Sequence, residues 1–304
     1  VVKSTGSWYN VKREDGSVVR CAARGKFRMK GIRSTNPIAV GDKVEYVYDS
    51  VAESGVIKTI LDRTNYIIRR STNLSKESHI IASNIDQALL FVTLTNPVTN
   101  IEFVDRFLVA AEAYGIPVII VFNKCDLYTN ELNEDFEYYR LSYKHVGYTC
   151  IETSTITGHN LDKLKEIMKG KVNLLSGNSG VGKSTLINSI EPELNLKTSA
   201  ISDAHLKGKH TTTFAEMFPL ADGGYIIDTP GIRGFGIVHI EREEISHFFP
   251  EIFKLSENCQ YNNCLHLNEP KCAVKDAYEN GLMPPFRYES YVSILMNDDN
   301  KYRQ

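Results

Sequence analysis

The segment Gly177-Asn178-Ser179-Gly180-Val181-Gly182-Lys183-Ser184 fits the spacing G-x-x-x-x-G-K-[ST]. Glycines at those positions let backbone N–H groups close around phosphate oxygens with no Cβ in the way, and a following helix adds the positive end of its dipole. Val172-Asn173-Leu174-Leu175 before it reads as a strand and Thr185-Leu186-Ile187-Asn188-Ser189-Ile190 after it as a helix. That context separates a phosphate loop from an ordinary Gly-rich turn. Lys183 is expected to reach the β and γ phosphates, the Ser184 hydroxyl to hold Mg²⁺, and the backbone from Gly177 through Thr185 to line the phosphates.

Asn123-Lys124-Cys125-Asp126 closes the apolar run from Pro117 to Phe122, at the strand end where open α/β sheets place ligand contacts. A carboxylate at Asp126 can accept from guanine N1–H and the 2-amino group together, and adenine offers no such donor pair. The four-residue pattern is common alone; beside a phosphate loop it points to GTP, with Asn123 and Lys124 completing the motif. Thr153-Ser154, after Tyr148-Thr149-Cys150-Ile151, holds the matching place on another strand. Ser154 there can touch the guanine O6 edge, or else simply cap a helix. Asp228-Thr229-Pro230-Gly231 follows Tyr225-Ile226-Ile227; Asp228 is expected to hold Mg²⁺ through water and the Gly231 N–H to contact the γ-phosphate. Elsewhere such a segment is an Asp-initiated turn, but its distance past the phosphate loop favours the nucleotide role.

Between these lies Lys207-Gly208-Lys209-His210-Thr211-Thr212-Thr213, polar and without core periodicity. Thr212 is the residue chosen to complete the Mg²⁺ shell. Ile232 stands where many GTPases carry a Gln that orients the attacking water. Isoleucine cannot hydrogen-bond water, so slow unaided hydrolysis is expected, with help from a partner or from His210. The alternative for His210 is a solvated histidine.

The order of these parts is unusual. The base-reading segments at 123–126 and 153–155 precede the phosphate loop, whereas an ordinary G domain ends with them. A sheet whose termini lie close together can be cut and rejoined elsewhere with its pocket intact, so the order reads as a circular permutation. The chain then leaves the domain just past Gly231, which ties whatever follows residue 240 mechanically to the nucleotide state.

Cys259, Cys264, His266 and Cys272 form C-x4-C-x-H-x5-C, three of the six cysteines and one histidine within fourteen residues. Three thiolates and an imidazole suit one structural Zn²⁺ per chain, with no position left open for chemistry. Disulfides would leave one of the three cysteines unpaired. Cys21, Cys125 and Cys150 are scattered and are expected to be buried thiols.

The elements that must position these groups fall into three parts. Residues 1–70 read as short strands, Ser17–Ala22, Lys43–Tyr48 and Gly55–Ile60, separated by Asp15-Gly16, Asn36-Pro37 and Gly41-Asp42. They fit an all-β OB-like barrel, and an SH3-like barrel would read much the same. From 72 to 240 the buried runs Ala88–Val92, Pro117–Phe122, Val172–Leu175 and Tyr225–Ile227 alternate with helices, the first bearing Val104, Phe107, Leu108 and Ala111 on one stripe. This is an α/β parallel sheet with crossovers. In 241–304, Ile245, Phe248, Phe249 and Ile252 keep helical spacing split by Pro250, and a helical tail runs through Tyr278 and Tyr291. The C-terminal part is thus an α-helical zinc domain.

Net charge is −2, but residues 1–70 hold 14 Lys/Arg against 7 Asp/Glu and the remainder 21 against 30. The asymmetry fits a barrel that meets a polyanion, or else a solvated basic face. No run reaches the ~18 apolar residues of a membrane span. Val1-Val2-Lys3-Ser4 shows no apolar run with a cleavage site, although native residues could precede Val1. A cytoplasmic monomer with no membrane contact is expected.

Taken together, the permuted order, the phosphate loop, His210-Thr211-Thr212-Thr213, Asp228-Thr229-Pro230-Gly231 and the Cys259–Cys272 cluster resemble the ribosome small subunit-dependent GTPase A family, RsgA. Phe249-Pro250-Glu251, Glu269-Pro270-Lys271-Cys272-Ala273-Val274 and Arg287-Tyr288-Glu289-Ser290-Tyr291 extend the resemblance to nearly the whole chain. It implies an OB domain, a permuted GTPase and a helical zinc domain. It also implies a late role in maturation of the small (30S) ribosomal subunit, with hydrolysis stimulated by that subunit and contact with its rRNA. The competing expectations are an RNA-binding assembly factor that uses GTP as a structural ligand, and a GTPase acting on another RNA.

Overall fold

The structure, a computed structural model, describes residues 1–23, 37–70, 78–196, 215–228 and 240–296. Five strands open the chain: β1 (Lys3–Ser4), β2 (Trp8–Lys12), β3 (Val18–Ala23), β4 (Val44–Asp49) and β5 (Ser54–Ile60). They lie in the order β1-β2-β3-β5-β4, antiparallel except for the parallel pair β3–β5. Inward residues alternate along them, so Tyr9, Val11, Val19, Cys21 and Ile57 join Ile38 in one small core. That is the expected OB-like barrel.

A hairpin, β6 (Tyr66–Arg70) and β7 (Ser78–Ser83), leads out of it. Asp42 fastens the junction: its carboxylate accepts from Arg63 at 2.6 Å through each oxygen and from the Ser83 hydroxyl at 2.6 Å. Gly41 lies so close that a Cβ there would sit 2.0 Å from the Ser83 carbonyl oxygen.

Next come β8 (Gln87–Val92), α1 (Ile101–Ala113), β9 (Val118–Asn123), α2 (Asn130–Val146), β10 (Thr149–Thr153), α3 (Leu161–Met168), β11 (Val172–Gly177), α4 (Lys183–Ile190), β12 (Glu216–Pro219) and β13 (Tyr225–Asp228). Helix α1 starts where the Asn100 side chain accepts from the Glu102 amide, and it buries the expected stripe of Val104, Phe107, Leu108 and Ala111. Strands β8 and β9 are buried along their whole length, as a sheet covered on both faces requires. Helices α1 and α2 cover one face, α3 and α4 the other. The strand order is β10-β9-β8-β11-β13-β12, parallel from β10 to β13. The helices change face between β8 and β11, the switch point at which such sheets open a ligand crevice.

Two features depart from the sequence expectation. The sheet is not purely parallel, because β12 runs antiparallel to β13. Nor do barrel and α/β sheet stand apart: β1 pairs antiparallel with β2 on one side and β12 on the other, joining eleven strands into one sheet. Lys3 and Glu216, opposite each other at that seam, are ion-paired at 2.9 Å. Lys3-Ser4 is too short to show any period, which is why the pairing was invisible in the sequence.

Beyond residue 240 the described chain is helical: a 3-10 segment Arg242–Phe248, then α5 (Pro250–Ser256), α6 (Ala273–Glu279) and α7 (Pro285–Met296). The break falls at Pro250 as expected, although the segment before it is 3-10 rather than α. No described helix is long and apolar enough to cross a membrane.

Candidate functional site

The loop between β11 and α4 holds Asn178 to Gly182, and three glycines around it have positive φ: Gly177, Gly180 and Gly182. Two of these are also fixed by close approach. A Cβ on Gly177 would lie 2.5 Å from the Phe91 carbonyl oxygen, and one on Gly182 would lie 2.6 Å from Asn123 Nδ2. Glycine is therefore needed for the backbone turn and for the space. Lys183 opens α4, and its Nζ donates to the carbonyl oxygens of Gly177 at 2.6 Å and Asn178 at 2.8 Å. The ammonium thus sits at the loop mouth. Burial lowers its pKa below the ordinary lysine range, with the charge of Asp228 opposing. Asp228 ends β13, directly across from Leu175 of β11, so its carboxylate stands beside the phosphate loop. Ser184 follows Lys183 half-buried and Thr185 is exposed. Val181 is fully buried among the residues that seat α4.

The segments expected to read the base converge on the same strand ends. Asn123, the last residue of β9, donates from Nδ2 to the Val181 carbonyl at 2.8 Å and accepts from the Thr153 hydroxyl at 3.0 Å. It therefore ties β9, β10 and the phosphate loop together. Lys124, at φ 63°, points its Nζ to the carbonyl oxygens of Gly180 at 2.7 Å and Asn96 at 2.5 Å. Asp126 is exposed, and its Oδ1 accepts from the Ser154 hydroxyl. Ser154 Oγ accepts in turn from the Thr157 amide at 3.2 Å. An exposed carboxylate beside a buried hydroxyl is a fitting pair for the donor edge of a purine.

Asn123, Lys124, Asp126, Ser154, the loop from Gly177 to Gly182, Lys183, Ser184 and Asp228 are thus brought to one edge of the sheet. His210, Thr212, Gly231 and Ile232 lie outside the described residues. The Asn96 carbonyl and the Thr153 hydroxyl were not singled out as separate contacts from sequence. Asn96 contributes only backbone, and no side-chain pattern could have marked it.

The cysteine cluster lies apart from this edge, in the helical part. Nδ1 of His266 is 3.6 Å from Cys259 Sγ and 3.4 Å from Cys272 Sγ, and those two sulfurs are 3.9 Å apart. With Cys264, the four ligand atoms all lie within 4.8 Å of one another. A tetrahedral ion with metal–sulfur bonds of about 2.3 Å and metal–nitrogen bonds of about 2.0 Å sets its ligands roughly 3.5–3.8 Å apart, so the cluster can hold a metal. The cysteines are free thiols. Burial first, then the neighbouring Cys272 and Cys259, push the Cys264 thiol up to about 12. Sulfurs this close resist becoming thiolates without a cation to share.

The loop around them is held from below. Tyr288 and Tyr291 of α7 donate to the carbonyls of His266 at 2.6 Å and Leu265 at 2.8 Å. The Glu269 carboxylate accepts from the Leu265, Leu267 and Asn268 amides. These amides hold its pKa below the ordinary range, although burial acts to raise it. No spacing rule marks Glu269 as part of the site. Of the other thiols, Cys21 is buried as expected, while Cys125 and Cys150 are only half-buried.

Residues 60–238 match the RsgA GTPase family, and residues 1–57 match the RsgA N-terminal domain. The chain is 55% identical to the small ribosomal subunit biogenesis GTPase RsgA of Flavobacterium psychrophilum, over all of this chain and 94% of that one. It is 53% identical to the RsgA of Bacteroides fragilis, over all of this chain and 98% of that one. Among solved structures, YjeQ from Thermotoga maritima superposes with a TM-score of 0.78 at 36% identity, covering 97% of this chain and 95% of its own. YloQ, a circularly permuted GTPase, superposes at 0.74 with 32% identity, covering 97% and 92%. The family match covers residues 60–238, and the curated relatives align with this chain over its whole given length at more than half identity; the chain belongs to the RsgA GTPase family.

Proposed function

We propose that this chain hydrolyses GTP to GDP and phosphate in the late maturation of the small ribosomal subunit, its nucleotide state timing association and release. The observation that carries the reading is the convergence of Asp126, Ser154 and Lys183 on one strand edge. The names of its full-length relatives add the small subunit. The proposed division is a barrel at 1–70, a permuted GTPase domain at 72–240 and a zinc domain at 241–304. The protein acts as a cytoplasmic monomer.

Asp126 accepts from guanine N1–H and the 2-amino group while the Ser154 hydroxyl keeps its carboxylate in place. The loop amides from Gly177 to Thr185 and the Gly231 N–H surround the phosphates. Lys183 exchanges its loop carbonyls for β- and γ-phosphate oxygens, a better partner for a lysine partly stripped of water. Mg²⁺ brought with GTP neutralises charge on those oxygens, and Ser184, Asp228 and Thr212 are the side chains assigned to hold it. His210 is assigned to orient the attacking water. Cys259, Cys264, His266 and Cys272 hold one structural Zn²⁺.

The purified chain should release phosphate from GTP and not from ATP, and Lys183→Ala should abolish this. It should co-sediment with small rather than large ribosomal subunits, more with a non-hydrolysable GTP analogue than with GDP. Tight GTP binding without phosphate release, with or without subunits, would instead leave an RNA-binding assembly factor.

A further inference from the structure

Between β8 and α1 the chain makes a closed loop, Thr93 to Thr99, that lies against the nucleotide edge. Its two ends are stapled together by threonines as buried as the core, Thr93 at 0% exposure and Thr99 at 2%. The Thr93 amide donates to the Thr99 hydroxyl oxygen at 3.0 Å, and the Thr99 amide donates to the Thr93 carbonyl at 2.8 Å. The Thr93 hydroxyl donates to the Pro97 carbonyl at 2.5 Å. Asn96 sits at the exposed tip with φ 46°, and its carbonyl oxygen accepts from Lys124 Nζ at 2.5 Å. The same ammonium donates to the Gly180 carbonyl at 2.7 Å. A Cβ placed on Gly180 would meet Pro97 Cδ at 3.5 Å, so the loop also lies alongside the phosphate loop itself. Lys124 stands two residues before Asp126. Its stem therefore runs from the base-reading end of the edge to the phosphate end, where a bound nucleotide must lie against it.

We infer that Thr93 and Thr99 are positioning residues for the guanine nucleotide, holding the Asn96 carbonyl as a strut that orders Lys124. A free lysine side chain samples many rotamers, and ordering it opposes binding. Here two carbonyls of the chain itself order the ammonium, so nucleotide binding does not have to. The strut needs hydroxyls rather than mere bulk. Valine has the shape of threonine, but it neither accepts from the buried Thr93 amide nor donates to the Pro97 carbonyl. Either substitution would leave a backbone group short of its partner and free the loop tip to move. Asn96 suits the tip because a short polar side chain tolerates the left-handed conformation that a β-branched one resists. The inference rests on the GTP reading for the identity of the ligand and adds the residues that pre-order its site.

The test titrates the full chain and its variants with N-methylanthraniloyl-GDP and the corresponding GTP analogue, following fluorescence at equilibrium and during dissociation. Thr99→Val should weaken both nucleotides about three- to tenfold, the range that one lost hydrogen bond allows, chiefly by faster dissociation. Thr99→Ser, which keeps the hydroxyl, should restore the parent affinity. Asn96 supplies a second variant that leaves the core untouched. Asn96→Val should weaken binding by a similar factor, and Asn96→Gly, which accepts the same φ, should restore it. The decisive readout is the coupling to Lys124. Lys124→Ala should weaken binding by itself, and Thr99→Val added to it should cost less than about twofold more, because the strut then has nothing to hold. A threonine that only stabilised the fold would cost the same factor in both backgrounds, and that result overturns the inference. So would parent-like affinity in Thr99→Val and Asn96→Val. The two readings fail differently. A parent chain that binds neither nucleotide sinks the GTP reading and the strut with it, whereas a parent that binds tightly beside equally tight variants sinks the strut alone.

Discussion

Asp126 and Ser154 sit 28 residues apart in sequence and share a hydrogen bond at the edge of the sheet. On the proposed reading, Asp126→Asn replaces an acceptor by a donor where guanine also donates. GTP affinity should then fall by roughly 1.5–3 kcal/mol, the worth of a charged hydrogen bond, while xanthine nucleotides gain. Competition binding with GTP and XTP checks this, and unchanged GTP affinity would remove Asp126 from the base pocket. The residue types here were legible because each has a chemical reason to stand where it does. What Asn123 and Lys124 do was not. Sequence offers them as nucleotide contacts; the structure also makes them braces, since Asn123 holds the Val181 carbonyl and Lys124 spans to Gly180 and Asn96. A brace to a backbone carbonyl leaves no mark in the side-chain pattern of its partner.

Helix α7 clamps the cysteine-bearing part onto α1 through a buried charge. The Arg287 guanidinium, fully buried, donates to Asp105 of α1 at 2.6 Å and to Glu251 of α5 at 2.6 and 3.2 Å, and the Tyr143 hydroxyl of α2 donates to the same Asp105 oxygen at 2.8 Å. Arg287→Leu would leave Asp105 buried without its cation and should destabilise the protein by about 3–5 kcal/mol. The pair Asp105→Leu with Arg287→Leu should recover part of that loss in a denaturant titration, and full additivity would argue against the clamp. The ligand loop depends on a different agent. If the four ligands hold zinc, a strong chelator should loosen residues 241–304 before nucleotide binding is affected, because the metal stands in for core in so short a segment. Hydrogen exchange and metal analysis are the readouts; a folded preparation with no bound metal, or Cys259 disulfide-bonded to Cys264, would contradict it. Long periodic elements such as α1 and β9 were readable from their apolar pattern. The Arg287 clamp was not, because its partners lie 182 and 36 residues away. The two-residue strand β1 was not either, since its pairing partner β12 lies more than 200 residues downstream.

At the scale of the whole molecule, one sheet runs from the nucleotide edge into the barrel through β13, β12 and β1. The strand that ends in Asp228 is therefore two hydrogen-bonded neighbours away from the basic barrel, a short path between nucleotide and polyanion. On the proposed reading, Ile232 stands at the position where many GTPases orient the attacking water with a glutamine. That reading seeks the missing help in a partner, and a group supplied in trans can raise such rates about 10³- to 10⁵-fold. The decisive measurement is multiple-turnover GTP hydrolysis by the full chain, titrated with purified small ribosomal subunits at low and high salt, with large subunits as control. The rate should climb by orders of magnitude with small subunits alone, and the concentration needed should rise steeply with salt as Lys and Arg lose their phosphate contacts. No rise with competent small subunits, or an equal rise with large ones, would contradict the account.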